Sequence, residues 1–140
     1  MADFVFNIAK GAAAEKIRDG ANVQILTVDV GATTDATLRD LATVTSVLGS
    51  VTERTATGWG RKSISNGSVT LTVDNTNDRV DIDVADQTWT AVSAGAVTDL
   101  IFTENTGSDA TSVPLTQHDF AITPDGSDVT ATINVFYRAS

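Results

Sequence analysis

The sequence predicts a mainly β protein: an antiparallel β-sandwich or jelly-roll-like domain with two short α-helices in its N-terminal part. Three observations predict it. From Ser50 onward apolar and polar residues alternate with a period of two, the spacing of a half-buried strand. The alternating stretches are short and are separated by "AGA", "NTGSDAT" and "PDGSD", whose Gly, Ser, Asn and Asp supply turns. Ahead of them lie two stretches with helical signals.

In chain order, "AKGAAAEKIRDG" (residues 9–20) is rich in alanine and closed by Gly20, which predicts a short helix. "VQILTVDV" (23–30) is dominated by Val, Ile and Leu and reads as a buried, central strand. "TTDATLRDLATVTSVLG" (33–49) sets Leu38, Leu41, Ala42 and Leu48 on one helical face, with Thr34 or Asp35 as N-cap and Gly49 as stop. "GSVTLTVDN" alternates Val69, Leu71 and Val73 with Thr70 and Thr72, and "RVDIDVAD" alternates Val80, Ile82 and Val84 with Asp81 and Asp83. The intervening "DNTND" is a turn, so the two form a hairpin. "QTWTAVS", "VTDLIFTE", "DFAITPDG" and "DVTATINVFYR" supply the remaining strands.

A chain of 140 residues fits one domain, residues 1–140, able to bury about two thirds of its unfolded surface. Nine Lys+Arg against 18 Asp+Glu give a net charge of -9, which repels phosphate backbones and anionic lipid, so neither nucleic acid nor membrane is an expected partner. The absence of cysteine removes disulfides, thiol nucleophiles and cysteine-based zinc sites. "MADFVFNIAK" lacks the basic start and long apolar run of a signal peptide.

Candidate sites are few. "DNTNDRVDIDVADQTW" carries Asp74, Asp78, Asp81, Asp83 and Asp86, and a calcium site there would need six to eight converging oxygens. It lacks the glycine and the distal bidentate Glu of an EF-hand loop, whereas Asp81 and Asp83 fit the solvent face of a strand that also discourages edge-to-edge association. His118, the single histidine, has no G-x-S-x-G elbow, phosphate loop or H-E-x-x-H to serve. No enzyme, no cofactor and no metal is expected. Interface candidates are clearer. In "ERTATGWGRKSISNG", Arg54, Arg61 and Lys62 surround Trp59, residue types enriched at hot spots. This loop either docks on an acidic partner or folds back so that Trp59 covers the core while the cations stay solvated. Phe4, Val5, Phe6 and Ile8 make residues 1–8 a candidate docking arm, since apolar termini are ordered only when tied down.

"MADFVFNIAKG", "DATLRD", "DNTNDRVDIDVADQTWTA", "VPLTQHDFAITPDGSDVTA" and the terminal "FYRAS" together resemble a family of small virion-associated structural proteins of tailed bacteriophages, head decoration or tail-associated. The resemblance covers both ends and most of the second half. It implies a non-enzymatic structural role and supplies no catalytic residues. The expected role is a capsid decoration, or cement, protein that stabilises the assembled head by multivalent contact. The expected partners are the major capsid protein and copies of the chain itself in a symmetric oligomer such as a homotrimer. The expected location is the outer head surface of the virion, after synthesis in the host cytoplasm. The alternative is a minor tail or fibre-tip protein that recognises the host.

If the five aspartates serve a strand and its turn, EDTA leaves the melting temperature unchanged. A calcium-dependent rise of many degrees in differential scanning calorimetry would reveal a bound ion, because a ligand held only by the folded state stabilises it by mass action.

Overall fold

A computed structural model describes residues 2–9 and 12–140. The chain is mainly antiparallel β, with 39% strand against 16% helix, in a β-sandwich-like arrangement. Its elements run β1 (Phe4–Val5), α1 (Ala13–Arg18), β2 (Asn22–Asp29), α2 (Asp35–Arg39), α3 (Val44–Leu48), β3 (Thr52–Glu53) and β4 (Lys62–Ile64). There follow β5 (Val69–Asp74), β6 (Arg79–Val84), β7 (Gln87–Trp89), β8 (Val97–Asn105), β9 (Pro114–Ile122), β10 (Val129–Ala131) and β11 (Tyr137–Ala139). No helix among the described residues is long and apolar enough to cross a membrane.

The main sheet has the order β1-β9-β8-β2-β3, with β4 also paired to β2. Its centre is the antiparallel β2–β8 ladder, in register from Asn22↔Asn105 to Val28↔Asp99. Six consecutive residues of β2 are buried. That explains the near-continuous "VQILTV", since a strand covered on both faces cannot alternate. One face carries Leu26, Val28 and Ile101, and the other Val23, Ile25, Leu100 and Phe102, as the register and strand pleat require. Two smaller sheets, β11-β6-β5 and β10-β7, pack over the second face. Phe136, just before β11, stacks on Phe102 with ring centroids 4.5 Å apart. Trp89 of β7 packs on Phe120 of β9 at 6.3 Å. The buried Leu38, Val44 and Val47 of α2 and α3 complete the same core.

The helices differ from expectation. The helix expected over residues 9–20 occupies only Ala13–Arg18, and Ala9 closes a 3-10 turn over Asn7–Ala9; Lys10 and Gly11 lie outside the described residues. The single helix expected over 33–49 is two helices. Thr43 adopts an extended backbone and forms a capping box with Ser46, so a β-branched hydroxyl residue starts a new helix instead of continuing the old one. Leu38 is buried as expected, but Ala42 is exposed, while Thr34 caps α2 and Gly49 ends α3. "DVTATINVFYR" is likewise two strands in different sheets, β10 against β7 and β11 against β6. Between them Asp86 Oδ1 accepts from the Ile133 N–H at 2.7 Å and turns the chain away from β7. The expected 69–84 hairpin forms, with Val69 opposite Val84 and Asp74 opposite Arg79, except that Val73 is 61% exposed because its end of the sheet overhangs the core.

Residues 2–8 are not a detached arm; Met1 lies outside the described residues. β1 pairs with β9, Phe4 opposite Gln117 and Val5 opposite Thr116, and the Phe6 N–H donates to the Leu115 carbonyl at 3.0 Å. Phe4 and Phe6 are buried, and Arg39 lies 4.9 Å from the Phe4 ring centroid. Val5 is half-buried and only Ile8 is exposed. An apolar run, Phe4-Val5-Phe6, beside an unfilled edge of the main sheet gains more from joining it than from waiting for a partner. Deleting residues 1–8 therefore abolishes the folded domain. Phe6→Ala, at a fully buried site, lowers stability by about 3–5 kcal/mol, to be measured by urea denaturation; a folded, undiminished truncation would restore the docking arm.

Candidate functional site

The loop 54–61 carries the strongest sequence signal, and its side chains turn inward. Trp59 is 4% exposed; its Nε1–H donates to the Gly95 carbonyl at 2.6 Å. The indole meets Trp89 edge to face at 5.6 Å, an arrangement favoured by the ring quadrupoles. Trp89 in turn donates Nε1–H to the Gly60 carbonyl at 2.7 Å. The turn that aims Trp59 needs glycine at position 58. Its φ is +96°, and a Cβ would lie 2.8 Å from both the Thr90 carbonyl oxygen and the Val92 Cα.

The three cations of this loop are likewise engaged. Arg61 forms two bidentate pairs, with Nε and Nη2 on Glu53 at 2.6 and 2.9 Å and Nη1 and Nη2 on Asp109 at 2.6 and 2.9 Å. The hydrogen bonds it donates to Glu53, then to Asp109, hold the guanidinium firmly protonated, and Arg61 draws the Asp109 carboxyl below its ordinary range. The fork fits two planar carboxylates at once, which an ammonium cannot do. It fastens β3 and the Trp59 loop to the β8–β9 connection, where the Thr45 N–H of α3 donates to the Asp109 carbonyl. Arg54 bonds Asp29 Oδ2 at 2.9 Å and the Ala96 carbonyl at 3.0 Å. Lys62 sits 5.3 Å from the Trp89 ring centroid and donates to the Thr88 carbonyl at 2.6 Å. Trp59 thus covers the core, as the second account expected, but Arg54, Arg61 and Lys62 do not stay solvated: Asp29, Glu53, Asp109 and backbone carbonyls hold them. Their partners Asp29, Thr88, Gly95 and Asp109 carried no sequence signal, being distant in the chain.

The aspartates also hold the fold together. Asp74 Oδ1 accepts the Thr76 and Asn77 N–H groups, and its Oδ2 accepts Asn77 Nδ2, closing the hairpin turn. Those hydrogen bonds, the Asn77 side chain foremost, lower its pKa. Asp81 lies between Arg138 Nε at 2.7 Å and Arg79 Nε at 3.1 Å, and the Arg138 hydrogen bond lowers its pKa most. The chain Asp74–Arg79–Asp81–Arg138 crosses β5, β6 and β11 on one face. Asp83, half-buried rather than exposed, accepts its neighbour's Val84 N–H, and burial raises its pKa.

His118 sits at the edge of an open cleft of about 280 Å³ between β9 and the segment 131–136. Its Nε2 lies 2.9 Å from the Phe136 carbonyl and 3.1 Å from Thr116 Oγ1, and its Nδ1 is 3.2 Å from Asp3 Oδ2. A carbonyl only accepts, so Nε2 carries a proton and is no base on that side. The ring also stands edge-on to Phe102 at 5.4 Å. His118 thereby ties the region before β1 and the last segment to β9, and the cleft is floored by side chains that already pack on one another.

The least expected group is Asp99 in β8, which is 1% exposed. Gln117 Nε2 donates to its Oδ1 at 3.0 Å, and Asp119 is its cross-strand neighbour in β9. Burial raises its pKa above the ordinary 3.8, and the Asp119 charge adds to the rise. Only the apolar letters around it, "VTDLIF", could have signalled a buried strand position. Comparison of the chain with protein-family models, curated proteins and solved structures finds no match in any of the three.

A raised carboxyl pKa has a definite linkage sign. The folded state holds the proton over the interval between 3.8 and the raised value, so stability falls as pH rises through that interval and the full penalty persists above it. Asp99→Asn keeps an acceptor for Gln117 and removes the ionisation. The variant melts higher than wild type at pH 7, and the difference vanishes below the ordinary carboxyl range; equal melting temperatures at pH 7 would show that Asp99 carries no such penalty.

Proposed function

We propose that this chain is a non-enzymatic phage virion structural protein, a capsid decoration protein that binds and stabilises the assembled head. The resemblance of its quoted segments to small virion-associated proteins supports the reading. The observation that carries it is where the chain places its reactive and recognition side chains. His118, Trp59, Arg54, Arg61 and Lys62 bind strands and loops to one another, which suits a body whose work is to be a stiff surface. Both end strands, β1 and β11, are paired within the sheets, so load applied to the outside is carried by ladder hydrogen bonds.

The partner chemistry follows from charge. The body is acidic, with a net charge of -9, and the loop once expected to meet an acidic capsid patch is internally neutralised by Glu53 and Asp109. The contacted capsid surface is therefore basic or apolar. Ile8, 45% exposed, is the remaining member of the apolar N-terminal group able to touch it. Gel densitometry of purified virions is expected to give hundreds of copies per particle, and Ile8→Asp is expected to lower retention on undecorated capsids without changing the circular dichroism. A few to a few dozen copies would make the chain a minor tail or fibre-tip protein instead.

A further inference from the structure

Two large apolar side chains are exposed among the described residues, Ile8 and Val73, and Val73 lies on an edge strand that packs against α1 but has no strand partner on its outer side. β5 is the outer strand of the β11-β6-β5 sheet. In an antiparallel pair every second residue turns its N–H and C=O away from its neighbour, and no backbone hydrogen bond from another element reaches residues 70–74 among the described residues. Natural edges are blunted by Lys, Pro, bulges or cover; "VTLTVD" has no Lys or Pro, pairs with β6 without a shift in register, and Thr70, Thr72 and Val73 are exposed.

The sheet's apolar face continues to this edge. Val73, Val80 and Ala139 are cross-strand neighbours and line a shallow groove of about 410 Å³ at the overhanging end. Asp78 and Arg79 also border this groove, while the ion pairs of the Asp74–Arg79–Asp81–Arg138 chain lie on the opposite face.

We infer that β5 is a self-pairing edge: two copies of this chain join antiparallel along it, about a two-fold axis through Thr72, into one continuous six-stranded sheet. The occupant is a second copy because the strand is complementary to itself. Centred on Thr72, Val73 of each copy meets Leu71 of the other on the apolar face. Asp74 faces the other copy's Thr70, so no two like charges stand opposite one another. Centring on Asp74 would oppose two carboxylates. The copies repel through their net charges of -9, and β5 carries a single charge, Asp74, which stands opposite an uncharged Thr70, so screening favours the pair. The inference goes beyond the decoration role and is independent of it, since it concerns the isolated chain.

Sedimentation equilibrium of the purified full chain, over a protein and salt series, is expected to give a monomer–dimer equilibrium that tightens with salt. Val73→Lys adds an edge charge at a site already 61% exposed and is expected to leave a folded monomer by circular dichroism. Residues opposite each other across an antiparallel pair have Cα atoms about 4.5–5.5 Å apart, a span a disulfide bridges. The chain has no cysteine, so Thr72→Cys is expected to give a covalent dimer under a mild oxidant, whereas Thr123→Cys on the β9–β10 loop remains monomeric. A wild type that is monomeric at every concentration and salt level overturns the inference and leaves the edge to a strand of another protein. A trimer, or a dimer that persists in Val73→Lys, overturns it as well.

Discussion

The antiparallel ladder between Asn22–Asp29 and Val97–Asn105, buried on both faces, is the constraint on which the rest of this protein depends. A strand pair exposed to water on neither side must be covered twice. The chain does so with α2, whose Arg39 lies on Phe4, on one side, and with two small sheets and α1, packed against β5, on the other. Stacking of Phe136 on Phe102 and packing of Trp89 on Phe120 fix where those small sheets lie. These contacts bury aromatic surface at the offsets ring quadrupoles favour, so they contribute position as well as burial energy.

Polar groups then fasten what burial alone would leave loose. Arg61 joins three segments through two carboxylates, and His118 joins the two ends of the chain through β9. A half-buried guanidinium satisfied on both sides avoids the cost of an unpaired charge while restricting how the loops sit. Asp99 is the exception, a carboxylate in the core with Gln117 as donor and Asp119 across the ladder. Its cost is tolerated because the surrounding ladder over-determines the position. The same logic leaves the β5 edge without a second strand partner, since among the described residues no backbone hydrogen bond from another element reaches residues 70–74.

Several elements were legible in the sequence because their physics is local. The period-two alternation over 69–84 with "DNTND" between its halves gave the observed hairpin, and Thr34 and Gly49 marked helix ends. The break between α2 and α3 had a local cause too, the Thr43 capping box, but the Leu38 and Leu48 periodicity ran across it and hid the stop. β1, β3 and β4 are two or three residues long, too short for any period, and exist only because edges of the main sheet accept them.

By itself the sequence determined the fold class, the acidic balance, the buried character of residues 23–28 and the positions of most turns, all properties that hydrophobic patterning and backbone preference set over a few residues. Only the tertiary structure decided the destinations of Trp59, Arg61 and Phe6. A tryptophan ringed by cations, or an apolar N-terminus, is equally suited to a partner's surface and to its own core. The choice rests on whether Gly95, Glu53, Asp109 and the β9 edge stand within reach, which is a matter of long-range closure. The same closure left Val73 outside, since its strand pattern specifies which face it shares but not how far the opposing layer extends beneath it.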